Sequence, residues 1–338
     1  MKNKHIDIIK SICLILCVLG TISSTLYNGK SELFVRVIDY LSKPFVYPVI
    51  LFILGYIIYD KDYSKKTLLK RSLYSFLIGL FINIFCFSII YFIRNENYLM
   101  LENLFRANIF IFISLMYLFF YVVRNYDLDD YTLWGMGLLF SILNTLLSVK
   151  NSIDSNVVLE SITSIFYSSS NHMSFSFLPW IIFPITGYIF KEITENKKDN
   201  FYILTGIFSS SGYVLLTVFS KISVIGSSMI DYDNAYSVYN MNIYYAITSI
   251  CLCIFLYSMA YLVSKKIPSK IYRHIKRWSK NIVYIYIIVL LMINYVFLLL
   301  LEGMVVLDAI ETSLLFAMVF IISDVLSYLI VKKINRSK

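Results

Sequence analysis

The sequence predicts an all-α, polytopic integral membrane helical bundle of about ten transmembrane helices, and three observations lead there. First, apolar residues come in continuous blocks of about 17–25 residues, the length that crosses ~30 Å of hydrocarbon at 1.5 Å per residue. Second, 59% of the 338 residues are apolar and only 15% are charged, with a mean hydropathy of +0.72. A soluble domain of this size carries about 25% charged residues. Third, Lys and Arg fall in alternate connecting segments. In lipid only helices and closed barrels satisfy the backbone internally. A barrel would show ~10-residue alternating segments, and these runs are continuous.

In chain order the spans are expected at 6–26, 44–59, 72–93, 107–123, 131–149, 174–190, 201–220, 239–263, 282–301 and 309–331. The first opens with Asp7 and Lys10, and an acidic residue suits a helix N-terminus. The run is long enough to stay as a span, so no cleavable signal peptide is expected. The second and sixth spans hold Pro44, Pro48, Pro179 and Pro184. Five cysteines, Cys13, Cys17, Cys86, Cys251 and Cys253, all lie inside spans and read as small apolar residues without a metal-like partner set.

Charge sets the orientation. With the N-terminus inside, the cytoplasmic segments hold 22 Lys and Arg, the outer segments seven, and Lys10 lies within the first span. The outer seven are Lys30, Arg36, Lys43, Arg94, Arg106, Lys150 and Lys221. That split places both ends in the cytoplasm and requires an even number of spans. It also explains the net charge of +9 without invoking nucleic acid. Two outer loops are long. The stretch 150–173 has room for a short helix at 157–167, and 221–238 is polar, with Asp231 and Asp233. Both are places for an acceptor site, a lid or plain connection.

Few residues are able to carry chemistry. Of three histidines, His5 and His274 sit among cytoplasmic basic residues and read as surface groups. His172 lies on the outer side next to Asn171, just before the sixth span, where an imidazole works as a general base near neutral pH or serves as an interfacial polar residue. Asn83, Asn144, Asn294 and Asp324 are polar residues within spans, where polarity is costly and often functional. Asp324 is expected to face the bundle, as a hydrogen-bonding or a site residue. Glu302 and Asp308 flank a short outer loop as solvated groups. The basic run 265–280, interleaved with Tyr272 and Trp278, suits anionic lipid or the phosphates of a cytoplasmic donor. No nucleotide-binding loop, zinc motif or nucleophile elbow occurs.

Three stretches resemble the polytopic membrane acyltransferases, a superfamily that includes the acyltransferase-3 and heparan-α-glucosaminide N-acetyltransferase-like bacterial proteins. The first is Ile6-Asp7-Ile8-Ile9-Lys10, running to Gly20-Thr21. The second is Phe52-Ile53-Leu54-Gly55-Tyr56 with the basic loop that follows it. The third is Phe175-Ser176-Phe177-Leu178-Pro179-Trp180-Ile181-Ile182-Phe183-Pro184 with Gly187-Tyr188. Weaker similarity lies at 102–120 and 279–282. The chain departs from the pattern where Thr21 replaces a histidine, where Leu54 replaces a serine, and at Val289 and Leu290.

The resemblance implies one membrane-embedded domain over residues 1–338 that moves an acyl group, acetyl being the expected one. The donor is cytoplasmic acyl-CoA and the acceptor a hydroxyl or amine of an envelope glycan, lipid or peptide, with no metal. Lys66, Lys70 and Arg71 are then the donor-binding candidates, and His172, Asn171 and Asp324 the catalytic ones. Thr21 cannot take a proton at neutral pH as a histidine can. The alternatives are a transporter or flippase of an envelope precursor, which broken helices in matching halves would favour, and a catalytically degenerate membrane partner. A homo-oligomer stays open.

The charge split predicts a labelling pattern. Single cysteines introduced at Lys66, Lys198 and Lys270 resist membrane-impermeant thiol reagents in intact cells, and those at Ser170 and Ser227 react. The reverse pattern would invert the orientation.

Overall fold

The computed structural model describes residues 3–26, 32–93, 97–150, 162–167, 175–222, 243–299 and 307–336. Among these residues the chain is 88% helical and contains no strand. The helices are α1 (Lys4–Leu26), α2 (Glu32–Asp60), α3 (Lys65–Phe81), α4 (Ile89–Ile93), α5 (Asn97–Leu104), α6 (Ile109–Asn125) and α7 (Asp130–Lys150). They continue as α8 (Phe177–Trp180), α9 (Ile182–Thr194), α10 (Asp199–Ile222), α11 (Ile243–Ser264), α12 (Ser269–Leu291) and α13 (Ala309–Arg336). A π-helical segment, Ile82–Ser88, joins α3 to α4, and a second, Met292–Leu299, extends α12.

Among the described residues, six helical stretches are long and apolar enough to cross a membrane: Lys4–Leu26, Lys65–Ile93, Asp199–Phe219, Ile243–Ser264, Ser269–Tyr295 and Ala309–Arg336. They coincide with six of the expected spans. The expected spans at 44–59 and 107–123 fall on two shorter apolar helices, Phe45–Asp60 and Ile109–Asn125. Those at 131–149 and 174–190 fall on α7 and on the α8–α9 pair, which is interrupted at Ile181. Large apolar side chains such as Phe76, Leu146, Phe208 and Ile321 point outward from these helices. Such surfaces are rare on water-soluble monomers and are compatible with hydrocarbon as the surrounding solvent. By contrast, α2 runs unbroken through Pro48, so the proline pairs do not break two helices alike.

Of the expected helix at 157–167, residues 162–167 are described. They make a turn whose Ser164, Ile165 and Phe166 carbonyls accept from Ser176 Oγ (2.7 Å), Phe177 N (2.7 Å) and Leu178 N (2.8 Å). That turn anchors the start of α8.

The chain divides into two compact units. One comprises Met1–Ile50, Lys198–Ser209 and Cys253–Lys338; the other comprises Leu51–Lys197 and Ser210–Leu252. In the first, α1, α12 and α13 share an apolar seam. Leu14, Val18, Ile22 and Leu26 form an i, i+4 ridge on α1. Ile285, Val289 and Ile293 form another on the α12 side, and Leu315, Val319 and Phe320 complete the seam from α13. Residues four apart stack on one helix face, and interdigitating ridges of this kind supply van der Waals contact, the main attraction between helices in lipid. In the same unit Gly20 meets Ser42 so closely that an added Cβ would lie 2.3 Å from the serine Cβ.

The second unit holds a tighter approach. A Cβ on Gly55 of α2 would sit 1.9 Å from the Pro184 carbonyl oxygen of α9, and one on Gly187 of α9 would sit 1.9 Å from the Phe52 oxygen of α2. Each glycine lies three residues after the carbonyl that the other touches. The two helices therefore pack backbone to backbone at one crossing, which only glycine permits. In the same unit the Asn108 side chain caps α6 by accepting from Phe110 N (2.9 Å) and Ile111 N (3.1 Å). Its amide donates to Gly79 O (2.8 Å) and to Asn83 Oδ1 (2.7 Å). Asn83 in turn donates to the carbonyls of Leu104 (3.0 Å) and Arg106 (2.8 Å). Asn83 lies in the π-helical segment, and the Gly79 carbonyl, which accepts the Ile82 N–H at the end of α3, takes the Asn108 amide as a second donor.

Overpacking at the glycine crossing gives a contrast within one protein. Gly55→Ala and Gly187→Ala each lower the thermal stability of the purified protein by about 1–3 kcal/mol or more. Gly135→Ala, where nothing lies within 4 Å of the added Cβ, is neutral or stabilising. Equal melting temperatures for all three variants would disprove the close crossing.

Candidate functional site

Each unit carries a cluster of polar side chains at one end of its helices. In the first unit, Asp7 continues the α1 ridge past its apolar part. Asp7 Oδ2 accepts from the Tyr272 hydroxyl (2.8 Å) and Oδ1 from Ser279 Oγ (2.7 Å). Tyr272 and Ser279 lie seven apart on α12, two turns along one face, so both reach the same carboxylate. Ser11 Oγ, one turn beyond Asp7, donates to the Ile275 carbonyl (2.9 Å). Lys4 Nζ stands 5.2 Å from the centroid of the Tyr272 ring.

On the other side of α12, Arg277 Nη2 pairs with Asp324 Oδ2 of α13. The carboxyl side chain is 11% exposed and the guanidinium 36%. Ser327 Oγ donates to the Asp324 carbonyl (2.8 Å). Arg277 Nε and Asp324 Oδ1 are buried without a hydrogen-bond partner. Asp324 therefore faces other helices, and its carboxylate is an ion-pair partner. These contacts put the start of α1, the start of α12 and the last turns of α13 at one end of the unit.

A third polar group completes that end. His5 Nε2 and the Tyr257 hydroxyl lie 2.9 Å apart, and the His5 ring meets Tyr257 and Tyr261 edge-on at 5.0 and 5.7 Å. Tyr202 stacks on Tyr261 at 3.7 Å. Lys265 pairs with Asp199, and this hydrogen bond holds the Lys265 amine above its ordinary range. His5 is thus a half-buried member of an aromatic cluster rather than the surface group expected. His274 is exposed, and all five cysteines are free thiols.

The second unit has a basic, aromatic end. The turn before α3 carries Asp62 at φ 44°, a left-handed conformation that Asp tolerates. Arg124 fixes this turn by pairing with Asp62 (2.8 Å) and donating to the Tyr63 carbonyl. Ser64 then caps α3 by accepting from Thr67 N (3.3 Å). Lys66, Lys70 and Arg71 follow in the first two turns of α3, all exposed. The Arg71 guanidinium lies 4.2 Å from the Tyr63 ring centroid and beside the Tyr117 hydroxyl. Burial pushes the Tyr63 phenol up, and Arg71 opposes it. Nearby in the same unit Lys191 pairs with Asp60 (3.5 Å) and Glu195 (3.4 Å) and lies 5.7 Å from the Tyr56 ring. Partial desolvation, a hydrogen bond with Asp130 and repulsion from Asp130 and Glu195 hold Glu192 above the usual glutamate range. The sign follows: Glu192 is disfavoured as a carboxylate, so its contribution to stability is best at low pH and falls as pH rises through the ordinary glutamate range towards the raised value.

Of the six expected site residues, Lys66, Lys70 and Arg71 share one helix end, and Asp324 is buried in an ion pair in the other unit. His172 and Asn171 lie outside the described residues. Thr21 donates to the Cys17 carbonyl of its own helix at 2.8 Å. Among the described residues no group of three or more His, Cys, Asp or Glu is arranged to hold a metal ion. Sequence reasoning misses Tyr272, Ser279 and Arg277 as partners of carboxylates because they sit in a run of basic residues. The signal that finds the first two is the seven-residue spacing of their hydroxyls. Compared with protein-family models, with curated proteins and with solved structures, the chain matches none.

The Arg277–Asp324 pair makes a graded prediction. Asp324→Leu strands the Arg277 charge and lowers stability by about 2 kcal/mol, less than the ~3–5 kcal/mol of a fully buried pair because Arg277 is 36% exposed. Asp324→Asn keeps a hydrogen-bond acceptor and costs about 1 kcal/mol. Adding Arg277→Met to Asp324→Leu recovers most of the loss. Thermal unfolding in detergent orders the variants, and an unchanged midpoint for Asp324→Leu would remove the pair from the stability argument.

Proposed function

We propose that this protein is a membrane-bound acyltransferase of about ten spans, with both termini in the cytoplasm of a cell membrane. It moves an acyl group, acetyl for preference, from cytoplasmic acyl-CoA to a hydroxyl or amine of an envelope glycan, lipid or peptide. The observation that carries this reading is the exposed basic surface of Lys66, Lys70 and Arg71, backed by Tyr63 at the mouth of an apolar helix. A coenzyme A donor presents phosphates and a flat purine. Guanidinium and ammonium groups meet the first, and an aromatic ring with a stacked arginine meets the second. The 22-to-7 charge split puts that surface on the side where acyl-CoA is found. The packing of Gly55 against Pro184 and of Gly187 against Phe52 also joins two of the three stretches that resemble the superfamily.

In this mechanism the donor is held by Lys66, Lys70 and Arg71. His172, with Asn171 beside it, removes the proton from an acceptor at the outer face. The acceptor oxygen or nitrogen attacks the thioester carbonyl, a C–O or C–N bond forms, the C–S bond breaks, and coenzyme A leaves as the thiolate, which is then protonated. Asp324 holds Arg277 and takes no part in the transfer.

One observation favours a second reading, a non-catalytic membrane partner. The residue standing where the superfamily pattern has histidine is Thr21, and its hydroxyl is committed to its own helix.

Purified full-length protein, supplied with acetyl-CoA and candidate envelope acceptors, separates the two. In the acyltransferase reading coenzyme A is released only when an acceptor is present. Arg71→Gln raises the donor KM about tenfold and leaves kcat within about twofold, the loss of one charge-assisted contact. His172→Ala lowers kcat by about 10²–10⁴ with little change in donor binding, and His172→Gln is nearly as poor. A His172→Ala enzyme with normal turnover would remove the base from the mechanism. Absence of acceptor-dependent release with every acceptor class favours the partner reading.

A further inference from the structure

The polar end of the first unit carries more positive charge than its own carboxylates balance. Two cations stand near the ring of Tyr328 on α13. The Arg277 guanidinium carbon is 6.0 Å from its centroid and Lys332 Nζ is 5.9 Å away. Asp324 pairs with Arg277 through one oxygen, which leaves Lys332 unbalanced. The Arg277 side chain is 36% exposed, so part of its guanidinium is open to an acceptor from outside the protein. Around this point Lys276 and Lys280 on α12 and Lys333 and Arg336 on α13 add further positive charge. Two cations brought to one ring repel each other, so the arrangement is best completed by an anion with several acceptor oxygens.

The source of that anion follows from the neighbouring surface. One to three turns back along α13 from Lys332, Leu329, Val325 and Ile321 are 53%, 52% and 62% exposed. They belong to a helix apolar and long enough to cross a membrane. A phosphate at Arg277 and Lys332 therefore has an apolar surface running away from it along the helix axis, where acyl chains lie. A soluble phosphate ester has nothing to place there. Tyr328, half in and half out, suits the headgroup level.

We infer that Arg277, Tyr328 and Lys332 form a binding site for the phosphate headgroup of an anionic phospholipid, held between α12 and α13 with its acyl chains along the outer face of α13. The site is independent of acyl transfer, and it uses none of the residues assigned to the donor or the acceptor. Its physical basis is the attraction of clustered juxtamembrane cations to anionic lipid, worth about fivefold in binding per basic residue near the surface.

The test uses the full chain in a non-ionic detergent, mixed with phosphatidylglycerol, phosphatidylcholine or glycerol 3-phosphate, with bound adducts counted by native mass spectrometry. The wild type is expected to retain phosphatidylglycerol over phosphatidylcholine by about tenfold or more, as two cations acting together imply. Lys332→Gln, an exposed change, cuts that preference about fivefold and leaves the unfolding midpoint in detergent alone unchanged. The triple change Arg277→Gln, Asp324→Asn, Lys332→Gln removes both cations without stranding a carboxylate, and brings the ratio to near one. Lys65→Gln with Lys66→Gln, in the other unit, leaves it intact. The inference is overturned if the wild type shows no preference, or if Lys332→Gln keeps the full preference. It is also overturned if glycerol 3-phosphate displaces the lipid at equal concentration, which would assign the site to soluble phosphate esters.

Discussion

Hydrocarbon offers no hydrogen bonds, so polar groups that a helix carries inward are best met by its own backbone or by another helix. Most of the organisation described above follows from that constraint. Asp7 is met by Tyr272 and Ser279, Asp324 by Arg277, and Asn83 and Asn108 by each other and by three backbone carbonyls. Individually such contacts average only ~0.6 kcal/mol in membrane proteins. Their weight lies in direction. An apolar ridge slides along its neighbour at little cost, whereas a carboxylate that must reach two hydroxyls seven residues apart fixes the register of α1 against α12. The apolar seam of Leu14, Val18, Val289 and Leu315 then packs in that register.

The second unit solves the same problem with less polarity. At the α2–α9 crossing no side chain intervenes, and the carbonyls of Phe52 and Pro184 lie against glycine. Close backbone approach maximises dispersion contact in a solvent that supplies no hydrophobic drive. The π-helical segment belongs to this logic as well. It follows directly on the end of α3, where Gly79 O accepts both the Ile82 N–H and the amide of Asn108, the cap of α6.

Much of the fold was legible because hydropathy and charge act over whole segments. Six expected spans coincide with six long apolar helices, and the polar residues Asn83 and Asp324 stood out because almost everything around them is apolar. Pairing was not legible. Arg277 looked like one more cation in a basic run, and nothing local marks it as the partner of a residue 47 positions away. His5 looked like a surface group for the same reason, since its tyrosine partner is 252 positions distant. The Gly-Tyr pairs at 55–56 and 187–188 were visible as motif residues, but that their glycines touch one another's helices is a property of the fold alone. The π-helical segments have no composition that separates them from ordinary apolar helix. His172 and Asn171, the proposed base and its neighbour, lie outside the described residues, and their role rests on the sequence.

The bond between Asp7 and Tyr272 also has a consequence in time. Its two ends are separated by 265 positions. At the usual rate of synthesis, ~5–20 residues per second, roughly 13–53 seconds pass between the emergence of the carboxylate and that of its hydroxyl partner. Through that interval the first helix has to wait with its acid unmatched, at a membrane boundary where water or an assisting protein can attend to it. The unit it belongs to is completed only after α12 and α13 have been made. A ribosome that stops early leaves behind a protein whose first helix has no mate, and such a product displays its own fault to the machinery that removes unassembled membrane proteins.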